Sequence, residues 1–160
     1  ILGVNDESKS PVNNNPLINI MKKDVYMIKS TESIVEALQM MNEKKVSGLP
    51  VVDQNEHLVG FISDGDIIRH LSSEHSIFVN SDSFDKMEFN TALDSILTKN
   101  ILSIAEKRVI TVNATDDLGE VCYKLAENGL KKAPVMQGEK MIGIINASNI
   151  IKYTVSLIDR

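Results

Sequence analysis

The chain has 160 residues, 42% apolar and 24% charged, and 22 acidic against 17 basic side chains leave it a net charge of −5. That length buries a sizeable core without metal or disulfide staples, and the composition excludes collagen-like, fully disordered and disulfide-rich classes. The acidic balance argues against a sequence-independent grip on nucleic acid, which needs clustered Lys and Arg, and the longest apolar runs fall far short of the roughly 20 residues that span a bilayer. The single cysteine, Cys122, can form no internal disulfide. On the apolar face of an expected helix it reads as a small core residue in a reducing, cytoplasmic compartment.

The opening lacks the basic start and apolar core of a signal peptide, and its first residue is Ile1 rather than Met, so a fragment of a longer protein is expected. Residues 1–16 are polar and broken by Pro11 and Pro16, which predicts a tether. A first folded unit is expected over 17–71, a polar connection over 72–92 and a second unit over 93–160.

The two units are copies of one another. Val25–Ile28 overlays Val109–Val112, Thr31 overlays Thr115, Glu36 overlays Glu120 and Pro50 overlays Pro134, all 84 positions apart. One residue is lost in a hairpin, after which Gly60 overlays Gly143, Ile62 overlays Ile145 and Ile67 overlays Ile150, 83 positions apart. Each copy reads strand, helix, strand, strand, helix. In the first, Thr31 is the expected cap of a helix carrying Ile34, Leu38 and Met41, followed by strands at Leu49–Val52 and Leu58–Ile62 around a turn at Asp53–Glu56. In the second, Thr115 is the expected cap, with Asp116 and Asp117 in the first turn and an apolar face of Leu118, Val121, Cys122 and Leu125. Short sheets of this kind do not stand alone, so the copies are expected to pack about a pseudo-twofold axis in an α+β, sandwich-like fold.

The strings Val46–Asp53 and Leu58–Ile68, with weaker echoes in the second copy, resemble the cystathionine-β-synthase (CBS) domain, which occurs in tandem pairs called Bateman modules. The resemblance runs from Ile18 to Val155. It implies two β-α-β-β-α repeats, a regulatory role without catalysis, an adenine nucleotide (AMP, ADP or ATP) in the cleft between copies, pairing into a disc-shaped homodimer, and control of an attached domain. It also implies a cytosolic location, on the cytosolic face should the whole protein be membrane-bound.

At Ser63-Asp64-Gly65-Asp66 a strand meets a helix, where free amides and the helix dipole favour an anion. An Asp carboxylate can accept from two ribose hydroxyls, a Ser hydroxyl can donate to phosphate and Gly65 permits close approach. Ser63-x-x-Asp66 is equally the spacing of a helix capping box, and spacing alone favours the cap; the resemblance reverses that preference. Carried over by position, Phe61, Ser63, Gly65 and Asp66 would face Arg108, Ile110, Leu130, Lys131 and Lys132, with the two lysines reaching phosphates. Both lysines would also suit a solvated C-terminal helix turn. The reciprocal cleft would combine Asp24, Tyr26, Val46, Ser47 and Gly48 with Ile144, Asn146, Ser148 and Asn149. There Asn146 and Asn149 replace Ser63 and Asp66, so this cleft is expected to be degenerate, without an acidic clamp or lysines, and its Asn146 and Ser148 to serve as helix caps.

His57, His70 and His75 show no zinc-ligand spacing and read as surface residues, and no phosphate loop or nucleophile elbow occurs. Asp64-x-Asp66 as a Mg²⁺ site is the sharpest enzymatic alternative, but further ligands are wanting. No metal or catalytic cofactor is expected. Two other readings remain: a ligand-free dimerisation module, and a sensor of S-adenosylmethionine, whose ribose would look the same to Asp66. The lysines favour a phosphorylated ligand over that cation.

Overall fold

The computed structural model describes residues 15–78 and 86–159; the expected tether up to residue 14 and the middle of the connection, residues 79–85, lie outside the described residues. The elements are α1 (Pro16–Ile20), β1 (Ile28–Lys29), α2 (Ile34–Lys44), β2 (Gly48–Val52), β3 (Leu58–Ser63), α3 (Asp64–Phe78), α4 (Lys86–Leu97), a 3-10 turn (Ile101–Ser103), β4 (Val112–Asn113), α5 (Leu118–Glu127), β5 (Lys132–Gln137), β6 (Lys140–Asn146) and α6 (Ala147–Ile158). They build two three-stranded sheets, ordered β1-β2-β3 and β4-β5-β6. In each, a helix carries the chain between two parallel strands and a hairpin adds the antiparallel third. The α+β architecture of two β-α-β-β-α repeats therefore stands.

Local details depart from the sequence reading. Both first strands are shorter than expected, because only Ile28–Lys29 and Val112–Asn113 find a partner strand. Their upstream halves, Val25–Tyr26 and Val109–Ile110, turn to line clefts instead. The helix caps are Ser33 and Asp117, two residues beyond Thr31 and Thr115. Each closes a capping box, with Glu36 and Glu120 reaching back to the cap amide at 2.7 and 3.2 Å. Cys122 is exposed, not part of the core. The fully buried residues of α5 are Val121 and Leu125, so the buried strip is narrower than the apolar face and Cys122 lies at its solvent side. In the connection, α3 continues to Phe78 and α4 begins at Lys86, so residues 72–78 and 86–92 are helical, and Ala92 and Ile96 of α4 are buried.

The core is organised by an exchange between repeats. The first sheet packs Ile28, Leu49, Val51 and Ile62 against Ile34 and Met41 of α2, and the same cluster takes in Ile96, Ile101 and Ala105, which precede the first strand of the second sheet. The second sheet packs Val112, Val135 and Ile145 against Val121 and Leu125, and its cluster takes in Leu17 and Met21, which precede the first strand of the first sheet. Leu17 and Ile101, and Met21 and Ala105, are again 84 positions apart, so the repeat extends upstream of the overlay read from Val25. Each exchanged segment ends on a third-strand edge. Glu106 trades backbone hydrogen bonds with Phe61, both 2.9 Å, and Lys22 does the same with Ile144 at 2.8 and 2.9 Å. One edge of each sheet, its third strand, is thereby bridged by the opposite half of the chain.

Glycine makes this approach possible. A Cβ on Gly143 would lie 2.8 Å from the Lys22 carbonyl oxygen, and one on Gly60 would lie 3.2 Å from that of Glu106.

Candidate functional site: two clefts between the repeats

The main cleft lies where β3 turns into α3 and faces the segments ahead of β4 and β5. It encloses about 390 Å³ and is lined by Phe61, Ser63, Asp66, Arg108, Ile110, Leu130, Lys131 and Lys132 from the sequence reading; Gly65 alone of that set does not line it. The sequence reading missed Arg69, Glu106, Val109, Asn128, Gly129 and Pro134, which also line the cleft. The signal for Arg69 was its place one turn beyond Asp66. Glu106 had none, because its position depends on the exchanged edge.

Asp66 closes the capping box of its motif and also lines the cleft. One carboxylate oxygen, Oδ2, accepts from the Ser63 amide at 2.8 Å and the Ser63 hydroxyl at 2.9 Å, while the Asp66 amide donates to Ser63 Oγ at 3.2 Å. This is a closed capping box on α3. Oδ1 pairs with the Arg69 guanidinium at 2.5 Å. The Asp66 side chain is 15% exposed and that of Arg69 is 74% exposed, so Arg69 can swing into solvent and leave Oδ1 for other donors at little cost. Asp64 belongs elsewhere: it accepts from the Gly65 amide at 2.7 Å and lines a groove with Leu38 and Ile68 outside the main cleft. The two carboxylates thus diverge, which separates the pair that the Mg²⁺ alternative needs.

Apolar walls are supplied by Phe61, Val109, Ile110, Leu130 and Pro134. Charge is supplied by Arg69, Arg108, Lys131 and Lys132 against Asp66 and Glu106, an excess of cations in a chain that is acidic overall. Glu106 is partly occupied, accepting from the Arg108 amide at 2.8 Å. An apolar slot with two carboxylates and four cations at its rim suits a small molecule that carries an apolar body, hydroxyl groups and an anionic group.

Lys132 does not hang free over this cleft. Its ammonium crosses to the first repeat, donates to Ser47 Oγ at 2.7 Å and stands 5.6 Å from the centre of the Phe61 ring. Burial pulls its pKa below the usual lysine value, against the opposing charge of Asp64.

The second cleft is smaller, about 210 Å³, and is lined by Lys22, Val25, Tyr26, Lys45, Val46, Ser47, Gly48, Lys132, Ile144 and Asn146. Asp24, Ser148 and Asn149 of the expected set do not line it. The expectation that it lacks lysines is corrected, since three enter it. Lys22 arrives with the exchanged N-terminal segment, Lys45 from the end of α2 and Lys132 from β5, placements that spacing along the chain does not reveal. Asn146 caps α6, accepting from the Asn149 amide at 2.9 Å and the Ser148 hydroxyl at 2.6 Å.

His57 and His70 line neither cleft. His57 is half exposed between Asp53 and Glu139, bridging the two hairpins at 3.6 and 3.5 Å. His70 is half buried with Lys99 Nζ 3.3 Å away, rather than a simple surface residue, because α4 packs over this end of α3. His75 lies in α3.

The repeated sheets, the exchanged edges and the paired clefts define a tandem module, and the sequence comparison names its kind. The CBS domain family model matches residues 17–73 and 98–156, so the chain belongs to the CBS domain family and carries two tandem copies. It is 26% identical over 145 residues to the chloroplastic CBS domain-containing protein CBSX2 of Arabidopsis thaliana, covering 85% of this chain and 61% of that protein. The crystal structure of CBSX2 in complex with AMP superposes with a TM-score of 0.68 and 26% identity, covering 89% of this chain and 96% of that one. An SNF1-related protein kinase regulatory subunit gamma-1-like protein of Arabidopsis thaliana is 30% identical over 152 residues, covering 93% of this chain and 33% of that one. The CBS domain pair of protein MJ0100, solved with 5′-methylthioadenosine and S-adenosyl-L-methionine, shares the fold at a TM-score of 0.66 and 23% identity, covering 86% of this chain and 98% of that one. The chain spans between 42% and 61% of the length of the first curated relatives it matches. Among the described residues no helix is long and apolar enough to cross a membrane.

Proposed function

We propose that this chain is a ligand-sensing regulatory module that binds an adenine nucleotide, AMP, ADP or ATP, in the main cleft and catalyses no reaction itself. The observation that carries this reading is the convergence of Asp66, the Ile110–Leu130 walls and the Arg108–Lys131–Lys132 cations, all from distant parts of the chain, on one cavity of about 390 Å³. That volume is ordinary for a small-molecule site. The base stacks between the apolar walls, Asp66 Oδ1 accepts from the ribose hydroxyls once Arg69 moves off it, and the cations receive the phosphates. A ligand touching both repeats favours the arrangement that brings them together, and this shift of population passes to an attached domain. The setting is cytosolic, and the module pairs with a second copy. The AMP held by CBSX2 supports the choice of ligand.

A ligand-free dimerisation module is the second reading, and the exposed stripe of Ile151, Val155 and Ile158 on α6 favours it. An S-adenosylmethionine sensor is the third, in view of the ligands of the MJ0100 pair. Calorimetric titration with AMP, ADP, ATP and S-adenosylmethionine separates them. Saturable nucleotide binding, weakened at least tenfold by Asp66→Ala and by Arg108→Gln, is expected, each variant losing charge-assisted contacts of about 1.5–3 kcal/mol. Silence for all four ligands on folded protein sinks the sensor reading in favour of dimerisation.

A further inference from the structure

Three ammonium-bearing side chains, Lys22, Lys45 and Lys132, enter the second cleft, and among the described residues no carboxylate lines it. Its volume of about 210 Å³ falls below the roughly 300 Å³ at which drug-sized ligand pockets begin. It also lacks an equivalent of Asp66, since the matching residue, Asn149, lies outside its lining. A nucleoside therefore finds no carboxylate to accept from its ribose there, and the enclosed space better suits a smaller ligand.

Lys45 adds an independent observation. It closes α2 in the left-handed conformation, with φ 53°, whereas the matching position of the second repeat, Gly129, has φ 60° on a glycine. A side chain at such a position costs on the order of 1–2 kcal/mol relative to glycine. Here that conformation is kept by a residue whose side chain lines a cationic cleft. Lys132 is the wall common to both clefts, held by Ser47 on one side and lying over Phe61 on the other. Burial lowers its pKa in this position, so an anion beside it would offset the desolvation of its charge.

We propose that the second cleft is a site for a small tetrahedral oxyanion of the phosphate class, held by Lys22, Lys45 and Lys132, and that Lys132 sets this anion in competition with the nucleotide of the main cleft. The Ser47 hydroxyl accepts from Lys132 and keeps its own proton as a donor to the anion. One ammonium cannot be centred on two phosphates in separate cavities, so filling one cleft weakens the other, reciprocally. The anion site stands on the second cleft alone; the competition rests also on the nucleotide reading given above.

The test uses inorganic phosphate on the whole chain, against chloride at matched ionic strength. Phosphate is expected to raise the melting temperature saturably, an effect abolished in Lys22→Gln/Lys45→Gln and retained in Arg108→Gln. Saturating phosphate is expected to weaken nucleotide binding by about fivefold or more in the unaltered chain. It should leave nucleotide affinity unchanged in the Lys22→Gln/Lys45→Gln variant, which should bind nucleotide normally in phosphate-free buffer. The site is refuted if phosphate does not stabilise the chain beyond chloride, or if its effect survives the double variant and disappears with Arg108→Gln. If that variant loses ATP affinity but not AMP affinity, the anion is the end of a nucleotide's own polyphosphate, and the free-anion proposal is overturned. Absence of nucleotide binding with phosphate stabilisation intact overturns the competition and leaves the anion site standing.

Discussion

Replacing Gly143 by alanine tests the exchange on which both clefts depend. The new Cβ would stand 2.8 Å from the Lys22 carbonyl oxygen and 2.8 Å from the sulfur of Met21. The thioether can rotate away, but the carbonyl is fixed by its 2.9 Å bond from the Ile144 amide. Relief requires the N-terminal segment to lift off β6. That forfeits a reciprocal pair of backbone hydrogen bonds, each worth about 0.5–1.5 kcal/mol, and the alternative of staying in place carries overpacking strain of about 1–3 kcal/mol. Either route costs about 1–3 kcal/mol, which for a chain of this size lowers the melting temperature by roughly 2–12 °C. Gly60→Ala is the internal control, since its Cβ meets the Glu106 carbonyl at 3.2 Å and a shift of a few tenths of an ångström relieves it. Thermal denaturation followed by circular dichroism should therefore rank Gly143→Ala well below Gly60→Ala. A Gly143→Ala chain melting within a degree of the unaltered one, or above Gly60→Ala, would refute the reasoning.

Two more perturbations probe the same architecture. Leu17→Ala removes a fully buried side chain from the second cluster, at an expected cost of about 2–5 kcal/mol. Hydrogen exchange should show the weakened amides in β5 and β6, not in β2 and β3, although Leu17 belongs to the first repeat; the reverse pattern contradicts the exchange. Lys132 gives an alkaline signature. Its folded pKa lies below the usual 10.5, so between that lowered value and 10.5 the unfolded chain holds the proton more tightly and stability rises with pH. Over the same window its ammonium discharges and affinity for anions falls. Both slopes should flatten in Lys132→Met, measured by urea midpoints and by titration from neutral pH upward, and an unchanged stability slope in the variant contradicts the assignment.

Much of the main cleft was legible because its residues sit at punctuation marks of the chain. Ser63 and Asp66 stand where an apolar strand run stops and a helical period begins, and Lys131 and Lys132 where a helix gives way to Ala133–Pro134. Such junctions leave backbone amides and carbonyls unpaired, so the local sequence must carry polar groups there whatever the tertiary contacts. The same logic placed the caps near Thr31 and Thr115 but two residues early, because several small polar residues compete for the role and only the first buried positions, Ile34 for α2 and Val121 for α5, fix the helix phase. Cys122 was misread for the same reason: an i, i+4 pattern says which residues share a face, while packing decides how wide the buried part of that face is.

By itself the sequence determined the repeat, the order of elements within it and the polar residues at strand-to-helix turns, since these follow from local periodicity and from the similarity of one half to the other. Tertiary structure alone decided which half completes which core. Leu17 and Ile101 are equivalent apolar positions that could each fill the cavity of their own repeat, and nothing local distinguishes that arrangement from the exchange. The exchange covers both third-strand edges, through Glu106 on Phe61 and Lys22 on Ile144. It also brings Lys22 to a cleft that the one-dimensional reading left without lysines. Edge pairing and cleft charge depend on where distant segments meet in space, and neither is written in the spacing of neighbours along the chain.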